Sequence, residues 1–464
     1  MPQFSAVVTT GIYCRPGCPA RPNPSNVRRF DLAAAAEASG YRACLRCRPY
    51  RSPQVVGWSG PELVCRAVQM VVDGALDDAT EDALAARLGT SGRHLRRLFT
   101  THVGVTPDQL ARSRRAHFAR RLLDDTDLSV TEVAYASGFG SVRQMNRTLL
   151  DVFRAAPTEL RARRRASDRL VADGGLGLRL PFTGPLDATA MLDYFAARAI
   201  PGVESVRDGT YRRTIVVDGD PGVLELRPGG DDHLLLVAHL PHWEGLIHIV
   251  ERSRRIFGLD FPADEAAAHL TADCVIGPLI AARPGLRLPG TWDPFETGVR
   301  AILGQQVSVA GASTIAGRLV ERLGTPVPGL TALGLTRTFP TPAEVASADL
   351  SGIGLPQARA HAVRAFAAAV ASGDIPLDRS ASLDDLVTSI IAVPGLGPWT
   401  ANYLALRLGE RDAFPATDLG LRNAYRAATG ADKVPASLDA ASEPWRPWRA
   451  AAAVHLWASL PSPV

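Results

Sequence analysis

The stretch SLDDLVTSIIAVPGLGPWTANYLALRLG, residues 382–409, decides how the C-terminal half is read. Apolar residues recur at helical spacing on either side of Pro394 and Pro398, so the stretch predicts a helix, a tight turn and a second helix. Gly395 and Gly397 permit a hairpin whose free backbone N–H groups point toward the start of the second helix, a neutral cradle for a DNA phosphate. On geometry alone, PGLG between helices is also a plain connector. Further on, AFPATDLGLRNAY (413–425) places Asp418 directly before another helical run. An aspartate there is either an N-cap or a carboxylate with chemistry to perform.

Outward from the hairpin, the chain is nearly all helical from residue 293 onward. Residues 176–285 mix strand-like runs (TIVVDG, VLELRP, HLLLVAHL) with a helix around DATAMLDYFAARAI, giving a small α+β unit. Residues 61–165 read as helices carrying one pattern twice. In EDALAARLGTSGRHLRRLFTTHVGVTP (81–107), Leu84 and Leu88 face inward, Gly89 turns, Thr90/Ser91 cap, and Leu95, Leu98 and Phe99 share a face. In VTEVAYASGFGSVRQMNRTLLDVFRAAPTEL (130–160), Gly138 turns, Ser141 caps, and Met145, Leu149 and Phe153 recur every four residues. Two helices on a tight glycine turn, twice over, is the helix-turn-helix pattern. Arg93, His94, Arg96 and Arg97 in one copy, and Arg143, Gln144, Asn146 and Arg147 in the other, are groove-reading types, though a solvated charged face explains any one of them equally well. The basic linker ARSRRAHFARRL (111–122) between the copies weighs against that reading. The fold class is thus multidomain α+β, mostly α.

The 464 residues, 46% hydrophobic and 21% charged, predict about three domains and contain no apolar run long enough to span a membrane. The start, MPQFSAVVTTGIYC, has neither a basic n-region nor an apolar h-region, so the expected location is cytoplasmic. Net charge is only +4, and of 51 basic residues one is lysine, Lys433. Four of the six cysteines, Cys14, Cys18, Cys44 and Cys47, crowd the N-terminus as CxxxC, 25 intervening residues, then CxxC. That is the spacing of a tetrahedral four-thiolate Zn²⁺ site, which by spacing alone equally staples a domain too small to fold unaided. Cys65 and Cys274 stand apart and are expected to be inert core thiols. Around the cluster Arg15, Arg21, Arg28, Arg29, Arg42, Arg46, Arg48 and Arg51 oppose only Asp31 and Glu37, a balance suited to a phosphate partner.

The runs TTGIYCRPGCPAR (9–21) and GYRACLRCRP (40–49) closely resemble the zinc-binding methyl-acceptor domain of the Ada family of alkylation-response proteins. The resemblance implies that Cys14 accepts a methyl group from a DNA phosphotriester, irreversibly, and that Thr10, Arg21 and Arg42 contact the DNA backbone. Pro19 stands where that family has an arginine, which removes one contact, and the family's opening segment is shortened here, either trimmed or lost to a start codon set too late. Methylation takes away one negative charge, so repulsion from phosphates falls and repair becomes a binding switch. The middle segment resembles the AraC/XylS DNA-binding domain, including Pro157 to Arg161, and implies RNA polymerase as a partner beside double-stranded DNA.

The hairpin together with Asp418 resembles the helix-hairpin-helix DNA glycosylases, and residues 176–460 are most similar to the AlkA-type 3-methyladenine enzymes. The implied domains are 1–55 (zinc), 60–165 (double helix-turn-helix), 176–288 (a TBP-like α+β fold) and 290–460 (glycosylase). Asp418 matches the catalytic aspartate; Tyr194, Trp399, Tyr403 and Trp457 match aromatics of the base pocket, where stacking favours an electron-poor cationic purine. Any one of these rings alone is as well read as core. Gln306, in LGQQVSVAGAS, stands at the place of a leucine wedge, and Leu419 replaces an aromatic after the aspartate, which puts the lesion spectrum in question. Trp399 occupies the place where a lyase carries its amine, so hydrolysis without strand cleavage is expected. No cysteine lies beyond Cys274 to hold an iron–sulfur cluster or to form the O6-methylguanine methyltransferase domain that many Ada proteins carry. The resemblance adds a monovalent cation at the hairpin. A chiefly regulatory protein with a drifted glycosylase half is the competing reading, favoured only by Gln306 and Leu419.

Overall fold

Short strands at the N-terminus give way to helices that dominate the rest of the chain. The computed structural model describes residues 4–52 and 60–460, so most of the linker expected in RSPQVVGWSGP lies outside the described residues. The chain forms two compact units. The first runs to Phe182 and includes His242–Glu251 and Asp378–Ser380; the second holds Thr183–Pro241, Arg252–Leu377 and the chain from Ala381. This is the expected mostly helical multidomain α+β architecture.

In the first unit β1 (Phe4–Val7), β2 (Ile12–Cys14), β3 (Val27–Phe30) and β4 (Arg42–Ala43) form one sheet in the order β3-β1-β2-β4, flanked by α1 (Ala33–Ala38). The β2–β4 pairing is parallel, with Tyr13 opposite Ala43. Both strands therefore end at the same edge, which brings Cys14 beside Cys44.

The helices that follow are α2 (Glu62–Val72), α3 (Glu81–Arg87), α4 (Gly92–His102), α5 (Pro107–Asp125), α6 (Val130–Ala136), α7 (Val142–Phe153) and α8 (Pro157–Ala162), before a strand, β5 (Leu176–Pro181). The expected turns and caps are present. Gly89 and Gly138 have φ of 68° and 75°, a region that favours glycine. Ser91 accepts the N–H of His94 and Ser141 that of Gln144. Leu84, Leu95, Phe99, Met145 and Leu149 are fully buried and Phe153 nearly so. Helix α5 is the spine between the two helix pairs, with most of its residues buried, charged ones among them.

The second unit contains α9 (Ala188–Arg198) and an antiparallel meander of β6 (Glu204–Arg207), β7 (Thr210–Val217), β8 (Asp220–Pro228) and β9 (His233–His239). Next in chain order come α10 (Leu246–Ile256), of which the part up to Glu251 belongs to the first unit, α11 (Ala263–Leu270) and α12 (Ile276–Ala282). The helical remainder is α13 (Pro294–Leu303), α14 (Val309–Leu323), α15 (Pro342–Ser347), α16 (Gln357–Ser372), α17 (Leu383–Ile391), α18 (Pro398–Arg407), α19 (Leu419–Thr429), α20 (Asp439–Ser442) and α21 (Arg449–Ser459). Trp445 and Trp448 are buried, and the Trp445 indole donates to Asp273 (2.9 Å). Cys274 corrects the sequence reading. It is exposed, because Asp273 turns the chain into α12 by accepting the N–H groups of Val275 and Ile276, which leaves Cys274 on the outside of that turn.

Candidate functional site

The Sγ atoms of Cys14, Cys18, Cys44 and Cys47 lie within 4.8 Å of one another. Four thiolates on a tetrahedral Zn²⁺ at about 2.3 Å are about 3.8 Å apart, so the donor set and its spacing fit that ion. Cys14 and Cys44 are buried and Cys18 and Cys47 partly exposed. Thr10 and Arg21 are exposed and Arg42 half-buried on this domain.

Two arginines of the local charge balance have acidic partners outside it. Arg48, the residue after Cys47, has φ 47° and is buried; it bonds Asp168 at 2.5 Å and lies 3.8 Å from Asp124. Arg51 reaches Asp125 at 2.7 Å and Asp124 at 3.2 Å. Tyr50 donates to Asp124 (2.9 Å), as does Arg120 (2.5 Å). Against the cost of burial, the hydrogen bond from Arg48 holds Asp168 below the usual carboxylate range. Beside Cys14, Tyr13 donates to Glu37 (2.6 Å), which also meets His117 of α5 at 2.6 Å. The cysteine domain is thus fastened to α5 at two places. Spacing in the sequence gives no sign of this, because the partners lie 70 or more residues apart.

In the second unit, Asp418 is the N-cap of α19. Its Oδ1 accepts the Leu421 N–H at 2.9 Å, capping α19. The same carboxylate accepts the indole N–H of Trp399 (2.7 Å, on Oδ2) and of Trp457 (2.9 Å, on Oδ1). Trp399 stacks on Tyr403 with centroids 5.4 Å apart and an interplanar angle of 16°, and Trp457 meets Tyr403 edge-on at 6.0 Å. The four aromatics read from the sequence therefore converge, the fourth through a residue the sequence reading missed. That residue is Arg407, whose guanidinium carbon lies 4.9 Å from the Tyr194 ring centroid, 5.1 Å from that of Tyr403 and 5.6 Å from that of Trp457. Arg198 lies 4.1 Å over Tyr194. Burial opposes ionisation of Tyr403, but the charges of Arg407 and Arg198 outweigh it and bring its hydroxyl down to about 8.

Four family descriptions match successive parts of the chain: the metal binding domain of Ada (3–50), a helix-turn-helix domain (84–163), the AlkA N-terminal domain (177–293) and the HhH-GPD superfamily of base excision DNA repair proteins (299–450). A Mycobacterium tuberculosis protein described as a bifunctional transcriptional activator/DNA repair enzyme, AlkA, is 41% identical over 464 residues, covering 99% of this chain and 93% of that protein. This chain belongs to the Ada/AlkA family of bifunctional transcriptional activator and DNA repair enzymes. Escherichia coli DNA-3-methyladenine glycosylase 2 is 35% identical over 281 residues, 59% of this chain and 94% of the enzyme. The solved 3-methyladenine DNA glycosylase of Archaeoglobus fulgidus shares the fold, with TM-score 0.53 and 21% identity over 61% of this chain and 97% of that one. No described helix is long and apolar enough to cross a membrane.

In this Ada/AlkA protein the hairpin lies between α17 and α18. Gly395 has φ 87°, and a Cβ there would come within 3.0 Å of the Ala362 Cβ, so the position requires glycine. Gly397 has ordinary backbone angles and open space where a Cβ would stand. The N–H groups of both find no acceptor among the described residues. Gln306 is exposed with φ 56°, at the tip of the turn between α13 and α14; its neighbour Gln305 donates to Thr400 at 2.9 Å, tying that turn to α18. Leu419 is 63% exposed. On the helix-turn-helix faces Arg93, Arg143 and Arg147 are exposed and Asn146 half-buried. Arg96 is held by Glu81 at 2.5 Å and Arg97 by His94 at 3.1 Å, so these two guanidiniums already have protein partners.

Proposed function

We propose that Cys14 accepts methyl groups from DNA methylphosphotriesters, that this transfer activates transcription, and that the C-terminal half hydrolyses the N-glycosidic bond of alkylated bases with Asp418. In the first reaction the Cys14 sulfur attacks the methyl carbon, the carbon–oxygen bond breaks, and the phosphate leaves as an ordinary diester anion. Cys14, Cys18, Cys44 and Cys47 would hold Zn²⁺, which would keep their sulfurs deprotonated at neutral pH. Thr10, Arg21 and Arg42 orient the DNA backbone. Arg93, Arg96, Arg97, Arg143, Asn146 and Arg147 serve the promoter site, with RNA polymerase recruited there; Arg96 and Arg97 must exchange their present partners for DNA.

In the second reaction Gln306 enters the base stack, Gly395 and Gly397 hold a phosphate through their N–H groups, and the flipped base lies against Tyr194, Trp399, Tyr403 and Trp457. A monovalent cation, part of the same proposal, would be held by the hairpin between α17 and α18. The Asp418 carboxylate stabilises positive charge developing on the sugar and aligns water. The observation that carries this reading is the pair of indole N–H groups aimed at Asp418, which keep an acceptor-only carboxylate at the pocket. The four-domain division 1–55, 60–165, 176–288 and 290–460 belongs to the same proposal.

Methylated duplex DNA with the purified chain tests both halves. Free 3-methyladenine is expected from the wild type and not from Asp418→Asn, and no borohydride-trapped adduct is expected. Release by neither protein refutes the glycosylase half and favours the chiefly regulatory reading, for which polar Gln306 and exposed Leu419 speak. Labelled methyl transfer that survives Cys14→Ala removes the role given to Cys14.

A further inference from the structure

We propose that Arg407 and Tyr403 together set which charge of base the Asp418 pocket accepts. With Tyr403 protonated the pocket favours uncharged damaged purines; with Tyr403 as phenolate it opens to cationic alkylpurines. The inference deepens the glycosylase reading and rests on it.

Aromatic faces attract a cationic base only if no other cation already occupies their field. Here the Arg407 guanidinium lies against three of the four rings, and Arg198 against Tyr194. Arg407 is buried; its Nη1 donates to the Pro289 carbonyl at 2.9 Å, its Nε has no partner, and no carboxylate pairs with it among the described residues. The groups facing Tyr403 come from four other helices or their caps. Tyr194 and Arg198 stand on α9, and Trp457 on α21. Arg300 of α13 is already met by Glu204 (2.8 Å) and Glu296 (3.2 Å). Asp418, the cap of α19, reaches the ring stack through the Trp399 and Trp457 indoles. The one carboxylate therefore offsets only part of the charge of Arg407 and Arg198, and the Tyr403 hydroxyl, brought down to about 8, is the group able to supply the missing negative charge near neutral pH. At an effective dielectric near 20, adding or removing one charge at this range changes relative acceptance of a cation by about tenfold or more.

The test uses the full chain and two probes: methylated duplex DNA, in which the 3-methyladenine nucleotide is cationic until its base leaves neutral, and a duplex carrying uncharged hypoxanthine. Single-turnover release is measured from pH 7 to 9. The ratio of 3-methyladenine to hypoxanthine release is expected to rise with pH in the wild type. It is expected to be at least about tenfold higher at pH 7 in Arg407→Met, which keeps bulk and removes charge. Tyr403→Phe, which keeps the ring, is expected to flatten the pH dependence. A ratio unchanged in Arg407→Met overturns the inference, as does a pH slope that persists in Tyr403→Phe; the second variant decides the matter if the first does not fold. Wild-type release of neither base defeats the glycosylase reading, and the inference falls with it.

Discussion

Asp124 offers the sharpest test of how the cysteine domain is joined to the DNA-binding helices. It is fully buried and takes hydrogen bonds from Arg120 (2.5 Å), Tyr50 (2.9 Å) and Arg51 (3.2 Å), with Arg48 at 3.8 Å. Asp124→Asn preserves shape but leaves Arg48, Arg51 and Arg120 facing two carboxylates, Asp125 and Asp168, instead of three. Arg120, itself 1% exposed, then has no carboxylate, only a neutral amide oxygen and the Tyr50 ring at 5.2 Å. Removing one partner of a buried pair costs about 3–5 kcal/mol. For a unit of this size each kcal/mol lowers Tm by about 2–4 °C, so a fall of about 6–20 °C is expected in the first unit's transition by calorimetry. The second unit's transition is expected to stay in place. A cycle with Arg120→Met is expected to be non-additive by about 0.5–3 kcal/mol. A shift below about 3 °C, or additive single variants, refutes the reasoning and reduces the network to a solvated surface cluster.

Chelation of zinc, or Cys44→Ser, is expected to unfold the cysteine domain and abolish methyl transfer while base release continues; structural zinc contributes about 10–16 kcal/mol in small domains, and circular dichroism with the two assays reads the outcome. Gly395→Ala forces a side chain into φ 87° and against Ala362. It is expected to cost about 1–3 kcal/mol and to weaken duplex binding in a titration at fixed salt. His455, beside Phe261, Leu270 and Val454 in a small apolar cavity, is lowered to about 4 by burial and then by Arg283. The unfolded chain protonates first as pH falls, so the folded state loses about 1.4 kcal/mol per pH unit between about 6.5 and 4. Denaturant midpoints measured across that window are expected to flatten in His455→Leu.

What the sequence revealed depended on how local the signal was. The cysteine spacing is legible because each pair comes from one turn, yet the parallel β2–β4 register that joins the pairs leaves no trace in it. Helix starts were legible for the same reason, since Ser91 and Ser141 act on N–H groups three residues away. Arg48 and Arg51 stood as unopposed in the charge balance because a count within residues 1–51 omits Asp124, Asp125 and Asp168. Arg407 reads as an ordinary helical arginine, although it lies four residues after Tyr403 and eight after Trp399, on one face of α18. That spacing was the available signal, and only the convergence of α9 and α21 gives it meaning.

At Asp418 the observed structural role is compatible with the catalytic role proposed for it. A cap needs one carboxylate oxygen near a backbone N–H, and α19 uses Oδ1 for this. Two indole N–H groups take two more of its roughly four acceptor positions, leaving one for water, and Trp399 cannot rotate away without breaking its stack on Tyr403. Three donors on one half-buried carboxylate fix its position before any substrate arrives. That is the condition electrostatic catalysis requires, since a group already oriented does not have to reorganise as charge develops. Asparagine in its place can keep the cap but must turn its NH₂ toward one indole N–H, so the fold survives while the preorganised charge is lost.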